Sequence, residues 1–393
     1  MEIRPAKRLN HFETGIFASL NKVREDLEKE GRKVYNLFIG TPDFTPPQHV
    51  IDALTESAKD PINWRYSLRE SDELLEAVCA YYKDRFGVTL TPDIITAVNG
   101  SQEGMGHLGM AICNKDDVVL LPDPGYPAFE AGAYFGEADI QYYPIVKEYG
   151  FMPRLDLLPE DLLKRTRYIV LSYPSNPVGA AAPKEVYEEV IRYAKKYNFI
   201  VINDNAYSDI IFDGREGFSF LSLDGAMEVG AEFFSLSKSF NVTGARISFL
   251  IGNKQIIDAM KLLRSQYDFG MFTPIQKAAI AALKGPRECV KEQCAEYQRR
   301  RDALCGGLRK LGWDIPDSDG TMFVWAPLPC GYTDSKLFCE ELAKKAGVIA
   351  TPGISFGPRG EGYVRFALVL PPEKLNEAVN AIAESGILLS AAI

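Results

Sequence analysis

At 393 residues, with 46% hydrophobic and 25% charged side chains, the chain has the material for a large core and exceeds what one core usually supports, so two closely packed domains are expected. Its 44 basic and 53 acidic residues leave a net charge of −9, which argues against a nucleic-acid partner or an acidic membrane surface. The start, Met1-Glu2-Ile3-Arg4-Pro5, lacks a secretory leader and no run reaches the roughly 20 apolar residues of a membrane span, so a cytoplasmic location is expected.

In chain order, Ser71–Phe86 carries helical period (Leu74, Leu75, Val78, Tyr81, Tyr82) and ends on Gly87. From there to Gly285, apolar runs alternate with helical patterns. Ile94–Val98, Asp117–Leu121, Tyr168–Ser172, Phe199–Asn203, Glu232–Ser235 and Arg246–Ile251 read as strands of a largely parallel sheet covered by helices, which makes the fold class α/β. Beyond Gly285 come a long charged helix, Arg287–Leu311, short strands at Thr321–Ala326 and Tyr363–Ala367, and a last helix from Pro372. These predict a smaller α+β domain. The expected division is an N-terminal segment 1–45 packed with the small domain, a large domain 46–285 and a small domain 286–393.

Ligands of an open α/β sheet sit beyond the carboxyl ends of its strands, so the residues that follow each strand carry the chemistry. After Ile94–Val98 comes Asn99-Gly100-Ser101-Gln102, a tight turn whose N–H groups and Ser101 hydroxyl suit a phosphate, although a plain strand-to-helix turn would look the same. Pro122-Asp123-Pro124-Gly125-Tyr126 follows the next strand and sets one aromatic at the sheet edge, either to stack on a flat ring or to cap the core. Tyr173-Pro174-Ser175-Asn176-Pro177 presents an amide beside a peptide bond open to the cis form. Asp204-Asn205-Ala206-Tyr207 pairs a carboxylate with a phenol, and such an acid can keep a pyridine nitrogen protonated. Ser235-Leu236-Ser237-Lys238 supplies an amine for a Schiff base, with Ser235, Ser237 and Arg246 offering donors to one phosphate. Each loop alone has a structural explanation; five at successive strand ends point to one site.

Taken together, these motifs resemble the class I/II aminotransferases of the fold-type I pyridoxal-phosphate superfamily, nearest the bacterial LL-diaminopimelate aminotransferase branch. The resemblance runs from Gly15-Ile16-Phe17 to Arg365 and includes Tyr267-Asp268-Phe269-Gly270-Met271-Phe272 and Thr351-Pro352-Gly353-Ile354-Ser355-Phe356. It implies pyridoxal 5'-phosphate as cofactor, with Lys238 as its covalent anchor and proton carrier. Arg246, eight positions on, would bind the phosphate with Ser101, Gln102, Ser235 and Ser237; Asp204 would meet the ring nitrogen, Tyr207 and Asn176 the ring hydroxyl, and Tyr126 the ring face. Arg365 would hold the substrate α-carboxylate beside Gly40 and Asn176. Tyr66 would reach the phosphate of a neighbouring subunit, which implies a homodimer with shared active sites.

The reaction so implied moves an amino group between an α-amino acid and a 2-oxo acid, with 2-oxoglutarate as the expected acceptor. A lyase or cyclase of the same fold is the alternative chemistry, since the cofactor residues activate Cα without fixing which bond breaks. A non-catalytic cofactor-sensing regulator is disfavoured because no basic recognition segment is present. One departure from the family is the absence of the glycine usual shortly after Tyr66, where Ser67-Leu68-Arg69-Glu70-Ser71 stands. Another concerns substrate: Gln102 and Gln266 occupy positions where diaminopimelate aminotransferases generally carry lysine and asparagine, which favours a polar or medium-sized donor over diaminopimelate itself. Seven scattered cysteines and three distant histidines suggest neither a disulfide framework nor a metal site.

Overall fold

The computed structural model describes residues 3–12, 16–268 and 270–388; Gly15 and Phe269, part of the family resemblance, lie outside them. Strands β1 (Tyr35–Asn36), β2 (Ile95–Val98), β3 (Val118–Asp123), β4 (Asp139–Pro144), β5 (Thr166–Leu171), β6 (Ile200–Asn205), β7 (Gly230–Ser235) and β8 (Ser248–Gly252) are followed by β9 (Phe323–Pro327), β10 (Val348–Ile349), β11 (Thr351–Pro352) and β12 (Tyr363–Ala367). β2 to β8 form one seven-stranded sheet in the order β2-β8-β7-β6-β5-β3-β4. Its pairings from β7 to β4 are all parallel, and β8 alone runs against its neighbours β2 and β7. The six expected strands are all present. β4 is an addition to that reading, and Arg246 precedes β8 in a left-handed conformation (φ 53°) instead of starting it.

Local sequence explains the elements. The helix Asp72–Phe86 starts where the Ser71 hydroxyl accepts from the Leu74 N–H and stops where Gly87 turns left-handed at φ 70°. The central strands are buried along their whole length, for example Val118 to Leu121 of β3 and Tyr168 to Leu171 of β5, as a parallel sheet covered on both faces requires. Helix Ser101–Ile112 lies against Ala128–Phe135 closely enough that a side chain at Gly109 or Gly132 would run into the other helix's backbone.

Beyond this sheet, β11, β12 and β9 form a three-stranded antiparallel sheet. A second core surrounds it, including Trp313, Phe338, Phe366 and Ile382. β1 pairs in parallel with β10, and Leu20, Leu27 and Phe38 pack with Ala343 and Ile349, so the N-terminal segment is joined to this second core. No helix among the described residues is long and apolar enough to cross a membrane.

Candidate active site

The carboxyl ends of the parallel strands converge on a cavity of about 300 Å³. Gly40, Ser101, Gln102, Tyr126, Asn176, Asp204, Tyr207, Ser235, Ser237, Lys238, Arg246 and Arg365 all line it. Every residue expected to build the site from one chain is therefore brought together. Tyr66, expected to act in a neighbouring subunit, is 80% exposed and does not line the cavity of its own chain.

One end of the cavity is built to receive an anion. Gly100, at φ 87°, turns β2 into the helix that begins at Ser101, and a side chain there would strike the Arg246 guanidinium. The Ser101 and Ser248 hydroxyls stand 3.2 Å apart and Ser248 is 2.9 Å from Ser235, whose Oγ accepts from the Ser237 N–H at 3.2 Å. This row of hydroxyls, a helix N-terminus and one arginine matches the geometry and charge of a phosphate. Ser248 and the lining residue Thr243 were not singled out from sequence: the first sits inside an apolar strand run and the second in an ordinary loop.

At the centre, Asp204 is the penultimate residue of β6, and its Oδ1 is buried without a partner. Burial first, and the charge of Glu232 second, push its carboxyl up to about 7. A buried carboxylate oxygen left unpaired is costly, so this atom suits an N–H donor supplied by a ligand. The Tyr126 hydroxyl donates to Gln102 Oε1 at 3.2 Å, which fixes that ring at the cavity edge. The Tyr207 ring meets Phe323 edge-on at 6.0 Å between centroids.

Arg365 forms the opposite wall. It is 2% exposed, lies between the rings of Phe323 (4.1 Å) and Phe356 (4.6 Å), and donates to Asn176 Oδ1 at 2.8 Å and the Phe38 carbonyl at 2.9 Å. All these acceptors are neutral, and its Nε has no partner. Burial lowers its pKa to about 10. A buried cation held by neutral groups, and facing a cavity, is a receptor for a carboxylate. Asn176 spends its oxygen on Arg365 and keeps its amide N–H groups for the cavity; the Asn176–Pro177 bond is cis. The bidentate pair of Arg300 with Asp43, at 2.6 and 2.9 Å, anchors the segment that carries Gly40.

The loop after Tyr66 makes its turn without glycine. Leu68 takes φ 41°, Ser67 Oγ donates to the Met271 carbonyl at 2.7 Å, and Glu70 accepts from the Ala97 N–H at 2.7 Å. Gln266 bonds the neighbouring Ser265 hydroxyl and does not line the cavity of its own chain.

Known proteins resemble the chain over nearly its whole length. The family model described as aminotransferase class I and II matches residues 32–382. An LL-diaminopimelate aminotransferase of Dehalococcoides mccartyi is 39% identical over 96% of this chain and 98% of its own. Another, from Syntrophobacter fumaroxidans, is 39% identical over 95% and 97%. Among solved structures, substrate-bound BacF from Bacillus subtilis superposes with a TM-score of 0.93 at 34% identity, covering 98% of both chains. A probable N-succinyldiaminopimelate aminotransferase from Thermus thermophilus gives 0.89 at 32% identity, over 94% and 100%.

Proposed function

Because the chain belongs to the class I and II aminotransferases and is a pyridoxal-phosphate-dependent enzyme, we propose that its cavity transfers the amino group of LL-diaminopimelate, or of a similarly polar α-amino acid, to 2-oxoglutarate. The observation that carries the reading is the placement of Lys238, Asp204 and Arg365 around one cavity. The residues fit the cofactor: the hydroxyl row and Arg246 suit its phosphate, the orphaned Oδ1 of Asp204 its ring nitrogen, Tyr207 and Asn176 its ring hydroxyl, and Tyr126 its face. When bound, pyridoxal phosphate supplies the electron sink that lets a bond at the substrate Cα break.

The chain's own groups do the rest. Arg365 orients the α-carboxylate, which sets the Cα–H bond toward Lys238, and the amine of Lys238 takes that proton and, as the ammonium, returns it two atoms along, on the far side of the amino nitrogen. With a pKa lowered to about 8 by burial and by the charges of Arg365 and Arg246, this amine can exist in both protonation states near neutral pH. Gln102, which lines the cavity and accepts from Tyr126, would offer the substrate side chain an uncharged amide.

The donor reading rests on the relatives' names, and the uncharged Gln102 is what widens it to other polar amino acids. The two-domain division at 46 and 286, a homodimer completed by Tyr66 and a cytoplasmic location belong to the same proposal. The test is a scan of amino donors, LL-diaminopimelate, aspartate, alanine, arginine and aromatic acids included, against 2-oxoglutarate, ranked by kcat/KM. LL-diaminopimelate at the head, with glutamate as product, is the expected result. Products that retain the amino group would move the protein to a lyase or cyclase.

A further inference from the structure

Behind Asp204 the sheet holds a second carboxylate that the chemistry above does not use. Glu232 of β7 lies opposite Asn203 of β6, and its exposure is 0%. Side-chain alternation puts Glu232 and Asn203 on one face of the sheet, while Asp204 and its pair partner Phe233 occupy the face that leads to the cavity. The two carboxyls are thus separated by a single sheet layer.

Glu232 is unusually well held. Its Oε1 accepts from the hydroxyls of Tyr82 at 2.9 Å and Ser219 at 2.7 Å, and its Oε2 from the Asn203 amide and the Phe220 backbone N–H, both at 2.8 Å. An ionised carboxylate offers about four acceptor sites, and all are met here. The two groups on Oε2 can only donate. Burial, the largest influence, leaves the Glu232 pKa above the usual carboxylate value although these four donors oppose it; the obligate N–H groups on Oε2 leave that oxygen no room for a proton, and with both hydroxyls at Oε1 turned to donate, the hydrogen-bond geometry is that of an anion. The surrounding core, with Tyr82, Val201, Phe220 and Phe234, gains nothing from a charge at this point.

The ionisable groups that feel Glu232 are Tyr82, Tyr187 and Asp204. Those around Asp204 are Tyr126 and Tyr207, with Lys238, Arg246 and Arg365 across the cavity. Glu232 is the one other carboxylate in this set. An anion there strengthens the hold on any proton shared between Asp204 and a ring nitrogen, and it offsets part of the pull of the three cations.

We infer that Glu232 is a positioning residue whose fixed charge, applied through the sheet, keeps the proton on the pair formed by Asp204 and the cofactor ring. The inference rests on the role proposed for Asp204. Glu232→Gln is the natural probe, since its amide oxygen can accept from Asn203 and Phe220 while its nitrogen donates to the two hydroxyls. In the cofactor-free full-length protein, carbon-13 NMR of the aspartate carboxyls, with Asp204 assigned through Asp204→Asn, should show the Asp204 midpoint falling by about half a unit or more in Glu232→Gln. The visible band of the cofactor-loaded protein should shift its pH midpoint in the same direction. Tyr187→Phe removes a hydroxyl that bonds Asn203 Oδ1 on the same face but none of the four donors to Glu232, and should move neither midpoint appreciably. An unchanged Asp204 midpoint in folded Glu232→Gln, or an equal fall in Tyr187→Phe, overturns the inference. If Glu232→Gln does not fold, the wild-type carbon spectrum decides: a Glu232 carboxyl, assigned through Glu232→Asp, that is ionised at neutral pH supports the inference, and one that is protonated there overturns it. Should Asp204→Asn leave the visible titration untouched, the role of Asp204 fails, while the cofactor-free measurement still reports on Glu232.

Discussion

Lys238 donates its ammonium to the backbone carbonyl of Gly40 at 2.7 Å, a contact that joins the end of β7 to the N-terminal segment across the cavity. The short turn that carries the lysine is gripped from outside as well. Its carbonyl accepts from Gln293 at 2.7 Å, and the Ser239 hydroxyl next to it donates to Asp209 at 2.7 Å. The side chain is therefore free to exchange one partner at its tip while its backbone is held.

From this follows a pH dependence. A pKa lowered from the usual lysine value to about 8 means that the neutral, nucleophilic amine becomes the major form above pH 8 instead of well above 10. The rate at which cofactor-free protein recaptures pyridoxal phosphate should rise with pH and level off with a midpoint near 8, and a midpoint near 10 would contradict the burial argument. After borohydride reduction, peptide mapping should place the cofactor mass on Lys238 and find none in Lys238→Ala. An adduct on another lysine sinks the assignment.

Asp204→Asn replaces the orphaned buried carboxylate with an amide of the same shape. Cofactor binding should largely persist, because the hydroxyl row and Arg246 are untouched. Turnover should fall on the order of a thousandfold or more, as expected when a preorganised charge worth several kcal/mol in the transition state is lost. Single-turnover measurement of Cα–H exchange is the check; near-normal exchange would mean another group holds the ring nitrogen.

How far the sequence carried this reading depended on how local each signal was. Lys238, Asp204, Asn176 and Tyr126 were legible because strand-end loops put their chemistry next to a recognisable apolar run. β4 was missed because Asp139-Ile-Gln-Tyr-Tyr-Pro is an edge strand whose side chains are mostly half-buried, so it lacks the continuous apolar signal of its neighbours. Thr351 and Phe356 fall in a stretch that carries the family resemblance and Phe323 in an expected strand, yet nothing local marks any of them as a neighbour of Arg365; they meet it only because β9, β11 and β12 pair across long stretches of chain. Gln266 is a residue that one chain does not bring to the site: its place in a family pattern suggests a share of the substrate pocket, and within its own chain the side chain bonds Ser265 instead of lining the cavity.

Tyr66 gives a test of assembly. It stands in a loop fastened at Ser67 and Glu70, does not line its own chain's cavity and is exposed, as are the nearby large apolar side chains Trp64 and Leu68. If it completes a partner's site, mixing inactive Lys238→Ala with an inactive Tyr66→Phe protein should restore up to about a quarter of wild-type activity: random exchange makes half the dimers mixed, and each of those has one intact site. No recovery after mass spectrometry has verified exchange would show that the site is not shared or that Tyr66 is dispensable.

Arg365→Lys isolates the carboxylate receptor. Lysine keeps the positive charge but loses the planar fork, so it cannot retain the bonds to Asn176 and Phe38 and still present two parallel donors to a substrate. It also loses the flat face that lies between Phe323 and Phe356. Removal of one bidentate, charge-assisted pair costs about 3 kcal/mol, which corresponds to roughly a hundredfold in kcat/KM. Because the arginine grips the substrate before and during the chemical step alike, most of the loss should appear in KM. The visible spectrum of the loaded protein should stay close to wild type, since the hydroxyl row and Asp204 lie on the other walls. The decisive comparison is between an amino acid and the corresponding amine without its α-carboxylate: wild type should discriminate strongly in favour of the acid, and Arg365→Lys only weakly. Equal discrimination by the two proteins would show that the α-carboxylate is bound elsewhere in the cavity, and would leave the buried arginine as a support for Asn176.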